Sequence, residues 1–106
     1  SLSSSVSFIK VDWRDEDALS NAVSGADCLI HTAGPYLGEK PIPLSVAIES
    51  RLKAYVDVSD PLDFLDESLT KSNSAADAGL TALLAAGAFP GMSNVLSIEA
   101  AKVITE

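Results

Sequence analysis

Short apolar runs alternate along the chain with longer segments in which apolar residues recur every three or four positions. The short runs are rich in β-branched residues and occupy residues 6–11, 28–32, 54–58 and 81–85. The longer segments occupy residues 15–24, 42–51 and 62–78, the last in one or two pieces, and resume at residue 92. Strands that alternate with helices are typical of βαβ units, so the pattern predicts an α/β fold with a parallel sheet and flanking helices.

The helix boundaries carry the residues that commonly begin and end helices. Asp15, Glu16 and Asp17 open the first helical segment, where acidic side chains favour the positive end of the helix dipole. Gly25 follows that segment and Gly79 follows the 62–78 segment, as glycine commonly does just past a helix. These residues support the predicted helices independently of the apolar spacing.

The run from Cys28 to Thr32 shows almost no polar alternation. Such a run predicts a strand in the middle of the sheet, covered by helices on both faces. We therefore expect Cys28, the one cysteine, to be a small buried residue, and it has too few partners for a disulfide framework or a thiolate zinc site. We expect His31, the one histidine, to be packed or hydrogen-bonded rather than a general base.

Length and charge limit the function classes. With 106 residues, 47% of them hydrophobic, the chain is one domain or a piece of one. The net charge is −8 and the seven basic residues are scattered, which argues against nucleic acid and anionic membranes as partners. No window approaches the ~20 apolar residues of a membrane span, and the Ser-rich start does not resemble a secretory signal. These features predict a soluble intracellular protein.

Candidate binding residues follow the predicted strands, because ligands bind at the carboxyl ends of strands in an open parallel sheet. The candidates are Asp12 and Trp13, then residues 32–36, 57–60 and 86–92. These loops are rich in Gly, Pro, Asp and aromatic residues, although ordinary turns share that composition. Asp57 fits an acid or base, and equally a helix cap or an Asx-turn. Trp13 fits stacking on an adenine, and equally packing over a helix.

The sequence lacks the motifs of several common binding sites and catalytic mechanisms. The phosphate-binding G-x-G-x-x-G is absent, and the turn from Gly87 to Gly91 does not replace it, because Pro90 lacks a backbone N–H. The sequence also has no G-x-S-x-G, no H-E-x-x-H and no His and Cys at metal-binding spacing. We therefore predict no hydrolase and no metal site, and the catalytic residues stay unassigned.

Three stretches, taken in order and spacing, resemble the cofactor domain of the saccharopine dehydrogenase family. They are residues 11–36, the Y-x-D-x-S strand end at residues 55–59, and the G-x-x-P-G turn at residues 87–91. The likeness runs from about Val6 to Ile104. It implies a Rossmann-like fold, an NAD(P) cofactor with NADP favoured, and hydride transfer to or from an amino-acid or polyamine-like substrate in a longer parent enzyme.

The resemblance also implies positions around the cofactor. Asp12 and Trp13 would lie beside the adenine, and the 32–35 loop beside the nicotinamide ribose and the diphosphate. The 87–92 turn would border the nicotinamide and the substrate. The predicted cofactor-binding residues, with Asp57 at its strand end, are Asp12, Trp13, Thr32, Ala33, Gly34, Pro35, Asp57, Gly87, Pro90 and Gly91.

Compared with that family, the chain lacks the first strand with its glycine-rich turn, the second strand and the substrate domain. It begins with Ser1 and ends at Glu106 inside a predicted helix. We therefore expect residues 1–106 to be the carboxyl-terminal half of a Rossmann-like NAD(P)-binding domain. An incomplete sheet would leave one edge of the strand after Asp27 unpaired and prone to dimerise or aggregate.

Two other functions are compatible with the pattern. One is an atypical short-chain dehydrogenase, which shares the 11–36 stretch. The other is a non-catalytic binding or redox-sensing module on the same scaffold. Cofactor turnover by the full-length protein would separate the enzymes from the module, and the sequence alone leaves all three open.

Overall fold

The computed structural model describes residues 5–105. The elements are α1 (Glu16–Ala22), β1 (Cys28–His31), α2 (Ile42–Glu49), β2 (Ala54–Asp57), α3 (Leu62–Leu69), α4 (Ser72–Ala78), β3 (Thr81–Leu83) and α5 (Met92–Thr105). Within these residues the strands form a parallel sheet in the order β1-β2-β3. The predicted α/β class is confirmed, and the arrangement is compatible with an incomplete Rossmann-like fold.

The helix boundaries follow from local chemistry. Asp15 caps α1, because its side chain accepts a hydrogen bond from the N–H of Ala18 at 3.0 Å. Gly79 ends α4 with φ 73°, in the left-handed region that favours glycine. The 62–78 segment forms two helices, one of the two outcomes predicted. None of the helices in the described part of the chain is long and apolar enough to cross a membrane.

The hydrophobic core lies on one face of the sheet. Alternation along the strands places Leu29 and Tyr55 on that face, in register with each other. Helices α1, α2 and α4 pack there, with α2 in contact with both of the other helices. The buried core residues are Leu19, Val23, Leu44, Val46, Ala47, Leu52, Tyr55, Ala75 and Leu80.

The strand predicted at residues 6–11 is wrong, since the structure has no strand there and Phe8 is 91% exposed. An apolar run becomes a strand only when a neighbour accepts and donates its backbone hydrogen bonds. Within the described residues β1 pairs with β2 alone, so the middle strand is β2 and not β1 as predicted. Among residues 5–105 no strand pairs with the other edge of β1, as expected from the sequence.

The expected burial of Cys28 is also wrong, because its side chain is exposed. Cys28 and Ile30 point to the face of β1 opposite the core, while Leu29 and His31 point into it. Strand alternation decides this outcome, because a continuous apolar run is buried on both sides only when both faces are covered. Ile30 is 64% exposed on the same face.

Candidate functional site

The loops that follow the strands meet at the carboxyl edge of the sheet around the buried side chain of Asp57. Its Oδ1 accepts hydrogen bonds from the Ser59 N–H at 3.1 Å, the Ser59 hydroxyl at 2.7 Å and the Ala85 N–H at 2.9 Å. Its backbone carbonyl accepts from the Ala86 N–H at 2.8 Å. One carboxylate therefore fixes the loops after β2 and β3 relative to each other.

A second set of hydrogen bonds joins Asp57 to β1. The Tyr55 hydroxyl donates to Asp57 Oδ2 at 3.1 Å and lies 3.4 Å from His31 Nδ1. His31 Nε2 lies 3.1 Å from the carbonyl oxygen of Ala33. Since a carbonyl can only accept, this contact requires the proton on Nε2. The Asp57 network, by which we mean Asp57, Tyr55, His31 and Ser59, thus also holds the start of the 32–36 loop.

Burial shifts the pKa values of His31 and Tyr55 in this network. Desolvation lowers the pKa of His31, with a further lowering by the charge of Arg14, against opposing effects of the Ala33 carbonyl and Asp57. Desolvation and the neighbouring Asp57 carboxylate raise the pKa of Tyr55, so its hydroxyl stays protonated and can donate. At neutral pH the imidazole of His31 and the phenol of Tyr55 are therefore both uncharged.

Aromatic rings pack around His31 and support the 32–36 loop. The centroid of the His31 ring lies 4.9 Å from those of Trp13 and Tyr36. Tyr36 packs edge-on against Phe64 at 5.2 Å, and its hydroxyl donates to the His31 carbonyl at 2.9 Å. Phe64 thus supports the loop through Tyr36, and Trp13 supports it through His31.

Arg14 connects this cluster to the later part of the same β1–α2 connection, a role that the sequence analysis missed. Its guanidinium carbon lies 4.2 Å over the Trp13 ring. Its Nε and Nη2 donate to Glu39 Oε1 at 2.9 and 2.7 Å. No sequence spacing relates residues 14 and 39, so only the fold brings this pair together.

The predicted site residues lie at this one edge but differ in their exposure to solvent. Thr32, Ala33, Gly34 and Pro35 form an exposed rim. Asp57, by contrast, is 0% exposed, so its side chain acts on any ligand through the loops that it holds. Its bond to the Ser59 N–H is the Asx-turn that the sequence suggested as one alternative.

The other predicted residues lie along the rim of the same edge. Asp12 is exposed and accepts from the Arg14 N–H at 3.0 Å, while Trp13 is half-buried beside His31. Gly87 lies against Val58 in the loop after β2, and Pro90 is half-buried in the turn that leads to α5. The whole predicted set therefore lies on the loops after β1 and β3, at the end of β2 and on the segment before α1.

Two predicted glycines have different reasons to be glycine. Gly91 has φ 129°, and a Cβ there would lie 2.7 Å from the Gly87 nitrogen, so the turn itself requires it. A Cβ at Gly34 would meet only the Tyr36 ring, at an ordinary 3.7 Å. No contact in the described part of the chain therefore requires glycine at position 34.

A small groove lies between the rim and the core. Its volume is about 170 Å³, and its lining residues are Trp13, Leu19, Leu29, Ile30, His31, Thr32, Ala33 and Pro43. Pockets that enclose drug-sized ligands are about 300–1,000 Å³. The groove is therefore smaller than such a pocket and has room for about one ring.

The backbone donors at the start of α5 are used within the chain. The N–H groups of Met92 and Ser93 donate to the Gly87 and Ala88 carbonyls, and those of Asn94 and Val95 donate to Gly91. An anion site at a helix start needs these groups to point at the ligand. These four N–H groups therefore do not point at a ligand in this structure.

Tyr36 and Lys40 have the spacing of the Tyr-x-x-x-Lys pair of short-chain dehydrogenases, which the sequence analysis missed. The structure does not arrange them as such a pair. Tyr36 is buried with its hydroxyl bonded to the His31 carbonyl, and residues 36–40 form a loop with Lys40 exposed. Burial also raises the pKa of Tyr36, which disfavours it as a proton donor at neutral pH.

Comparisons with known proteins found no relative of this chain. No protein-family model, no curated protein and no solved structure matches the chain. In residues 5–105 no group of three or more His, Cys, Asp or Glu side chains is placed to hold a metal ion. The site is therefore interpreted from its own geometry.

The state of His31 predicts a pH dependence of stability. Because its pKa is lowered on folding, the unfolded chain takes up the proton first as the pH falls below about 6.5. We expect the free energy of unfolding to decrease from about pH 8 to about pH 5.5, and less so for His31→Gln. Urea titrations of both proteins at each pH measure the free energy of unfolding. The contributions of the carboxylates are common to both proteins and cancel in the difference. An equal pH dependence in both would contradict the assignment of a neutral buried imidazole.

Proposed function

We propose that this chain is the carboxyl-terminal half of an NAD(P)-binding domain, in an oxidoreductase similar to the saccharopine dehydrogenase family and with NADP favoured over NAD. The observation that supports it is the meeting of the predicted loops at the carboxyl edge of a parallel sheet. This is the edge at which open α/β sheets bind dinucleotides. The substrate would be an amino acid or a polyamine-like molecule.

The residues at this edge fit part of a dinucleotide. The rim at Gly34 is open to a close approach, and the groove beside Trp13 and His31 has the size of one ring. The Asp57 network would hold the 32–36 loop in place without touching the ligand. Bound NAD(P) would supply the hydride acceptor or donor, and the residues of this chain would bind and orient it.

The diphosphate needs donors beyond those described here, since the α5 start is used internally. In the proposed domain they come from the glycine-rich turn of the parent protein. The chain by itself is therefore expected to bind the dinucleotide much more weakly than the full-length protein does.

Calorimetric titration with NADP⁺ and NAD⁺ tests the proposal on the full-length protein and on the 106-residue chain side by side. We expect binding by the full-length protein, tighter for NADP⁺, and little by the chain alone. Absence of binding of either dinucleotide by the full-length protein would overturn the proposal. Binding without turnover of any amino acid or polyamine would favour the non-catalytic module.

A graded substitution at Gly34 tests the rim itself. In the full-length protein, Gly34→Ala and Gly34→Val are expected to weaken dinucleotide binding progressively, Val by about tenfold or more, because their side chains occupy the space of the ligand. Calorimetry gives the affinities, and thermal unfolding checks that the fold is kept. Ala26→Val, which adds two methyl groups in an exposed loop before β1, is the control. Unchanged affinity in Gly34→Val would leave Gly34 as a turn residue only.

A further inference from the structure

The Asp57 network contains one more hydrogen-bond contact than its side chains have protons. His31 Nε2 lies 3.1 Å from the Ala33 carbonyl oxygen, and His31 Nδ1 lies 3.4 Å from the Tyr55 hydroxyl oxygen. The third contact joins that hydroxyl to Asp57 Oδ2 at 3.1 Å. Each contact needs one proton, whereas a neutral imidazole and a neutral phenol supply one N–H and one O–H. One of the three contacts is therefore left without a proton.

The neutral network has two arrangements of the imidazole proton. With the proton on Nε2, His31 donates to the Ala33 carbonyl, and Tyr55 can donate either to Nδ1 or to Asp57 but not to both. With the proton on Nδ1, His31 donates to the Tyr55 hydroxyl, which still donates to Asp57, and the Ala33 carbonyl loses its donor. Both arrangements make two bonds. The first holds the start of the 32–36 loop, and the second releases it.

A second proton on the His31 ring satisfies all three contacts. The imidazolium donates from both nitrogens, to the Ala33 carbonyl and to the Tyr55 hydroxyl, and Tyr55 donates to Asp57. All three pairs of atoms already lie within hydrogen-bond distance, so the network accepts the proton without a rearrangement. Burial opposes the charge, which is why the pKa of His31 lies below its ordinary value. The geometry therefore admits the proton, and desolvation delays its uptake to lower pH.

The groups that surround His31 act in both directions. Within residues 5–105 the charged or titratable side chains that face it come from the segment before α1, from the 32–36 loop and from β2, and α3 contributes an uncharged ring; these side chains are Arg14, Tyr36, Tyr55, Asp57 and Phe64. Asp57 favours the imidazolium, and Arg14 opposes it. Burial raises the pKa of both Tyr36 and Tyr55, so neither contributes a charge at neutral pH.

We propose that the Asp57 network is a proton-operated latch on the 32–36 loop. While His31 is neutral, its proton exchanges between the two ring nitrogens, and the Ala33 carbonyl is held for only part of the time. Once the ring is protonated, the carbonyl is held continuously, so the rim of the candidate site is more ordered at low pH. The free energy of unfolding still falls with pH, because the unfolded chain takes up the proton more readily. The latch uses residues of this chain alone and is independent of the proposed function.

Nitrogen NMR of the His31 ring tests the latch directly, because the chain has one histidine. In a chain labelled with ¹⁵N in histidine, and above the pH at which the ring titrates, we expect both nitrogens to be partly protonated. Tyr55→Phe removes the oxygen to which Nδ1–H donates, so the proton is expected on Nε2 alone. Circular dichroism checks that this variant is folded. A wild-type ring with its proton on only one nitrogen would overturn the latch.

The carbonyl of Ala33 gives a second readout, since its ¹³C shift reports whether it accepts a hydrogen bond. As the pH falls through the titration of His31, the wild-type shift is expected to approach that of Tyr55→Phe, in which the carbonyl is always held. His31→Gln is the reference for the other titrating groups and should show no such change. A carbonyl shift that does not follow the His31 titration, or that changes equally in His31→Gln, would overturn the latch. If the chain unfolds before His31 titrates, the wild-type ring measurement decides alone.

Discussion

Replacement of Asp57 with alanine is expected to lower the free energy of unfolding by about 3–5 kcal/mol. The reason is that the donors on Ser59, Ala85 and Tyr55 would lose their shared acceptor inside the protein. Small domains have only about 5–15 kcal/mol of stability in total. Urea unfolding followed by circular dichroism measures the loss, and a largely unfolded variant is within the expected range.

The conservative variant separates charge from geometry. Asp57→Asn keeps an acceptor oxygen for Ser59 and Ala85, and Tyr55 can turn its hydroxyl toward His31 Nδ1, 3.4 Å away. We therefore expect a smaller loss than for alanine. Asp66→Ala, on the exposed side of α3, is the control and should change little. If Asp57→Ala were as stable as Asp66→Ala, the carboxylate would not be the organiser of these loops.

The sequence predicted correctly those helix boundaries that depend on interactions between residues close together in the chain. The helix boundaries at Asp15 and Gly79 were readable because capping is a local interaction. Strand formation is not local, and so the apolar run at residues 6–11 was predicted wrongly. Its composition favours a strand, but a ladder needs a neighbour that the described residues do not provide.

Burial was harder to predict than element type. Cys28 and Leu29 belong to the same apolar run, yet Cys28 is exposed and Leu29 packs against the core. The difference is the face of the strand on which each lies. Which face is covered depends on where the distant helices α1, α2 and α4 pack, and no pattern within residues 28–32 contains that information.

The candidate site, too, was predicted only in part from the sequence. The rule for parallel sheets selected the edge at which the candidate loops lie, and the Asx-turn at Asp57 was one of the alternatives given for that residue. The linkage of Asp57 through Tyr55 to His31 was not foreseen, because it joins two strands whose relative register only the fold defines. The ion pair of Arg14 and Glu39 was missed for the same reason.

Removal of the Phe64 ring is expected to destabilise the protein and to loosen the candidate site together. Phe64 is 0% exposed, and its ring packs edge-on against Tyr36 and lies 6.3 Å from the His31 ring. Phe64→Ala should cost about 3–5 kcal/mol through lost burial and the cavity left behind. Phe64→Leu, which fills most of that space, should cost less. Urea unfolding of both variants gives the two values.

A double-mutant cycle shows whether the loss reaches the 32–36 loop. If Phe64 supports the loop through Tyr36, the effects of Phe64→Leu and Tyr36→Leu on stability should be non-additive by about 0.5–3 kcal/mol. Phe64→Leu paired with Leu19→Ala, in the core under α1, is the matched cycle and should be close to additive. Additive effects in both cycles would mean that Phe64 stabilises α3 alone. A coupling confined to Tyr36 would mean that the rim proposed to meet the dinucleotide rests on this ring, so a folded Phe64→Leu protein should also bind it less tightly.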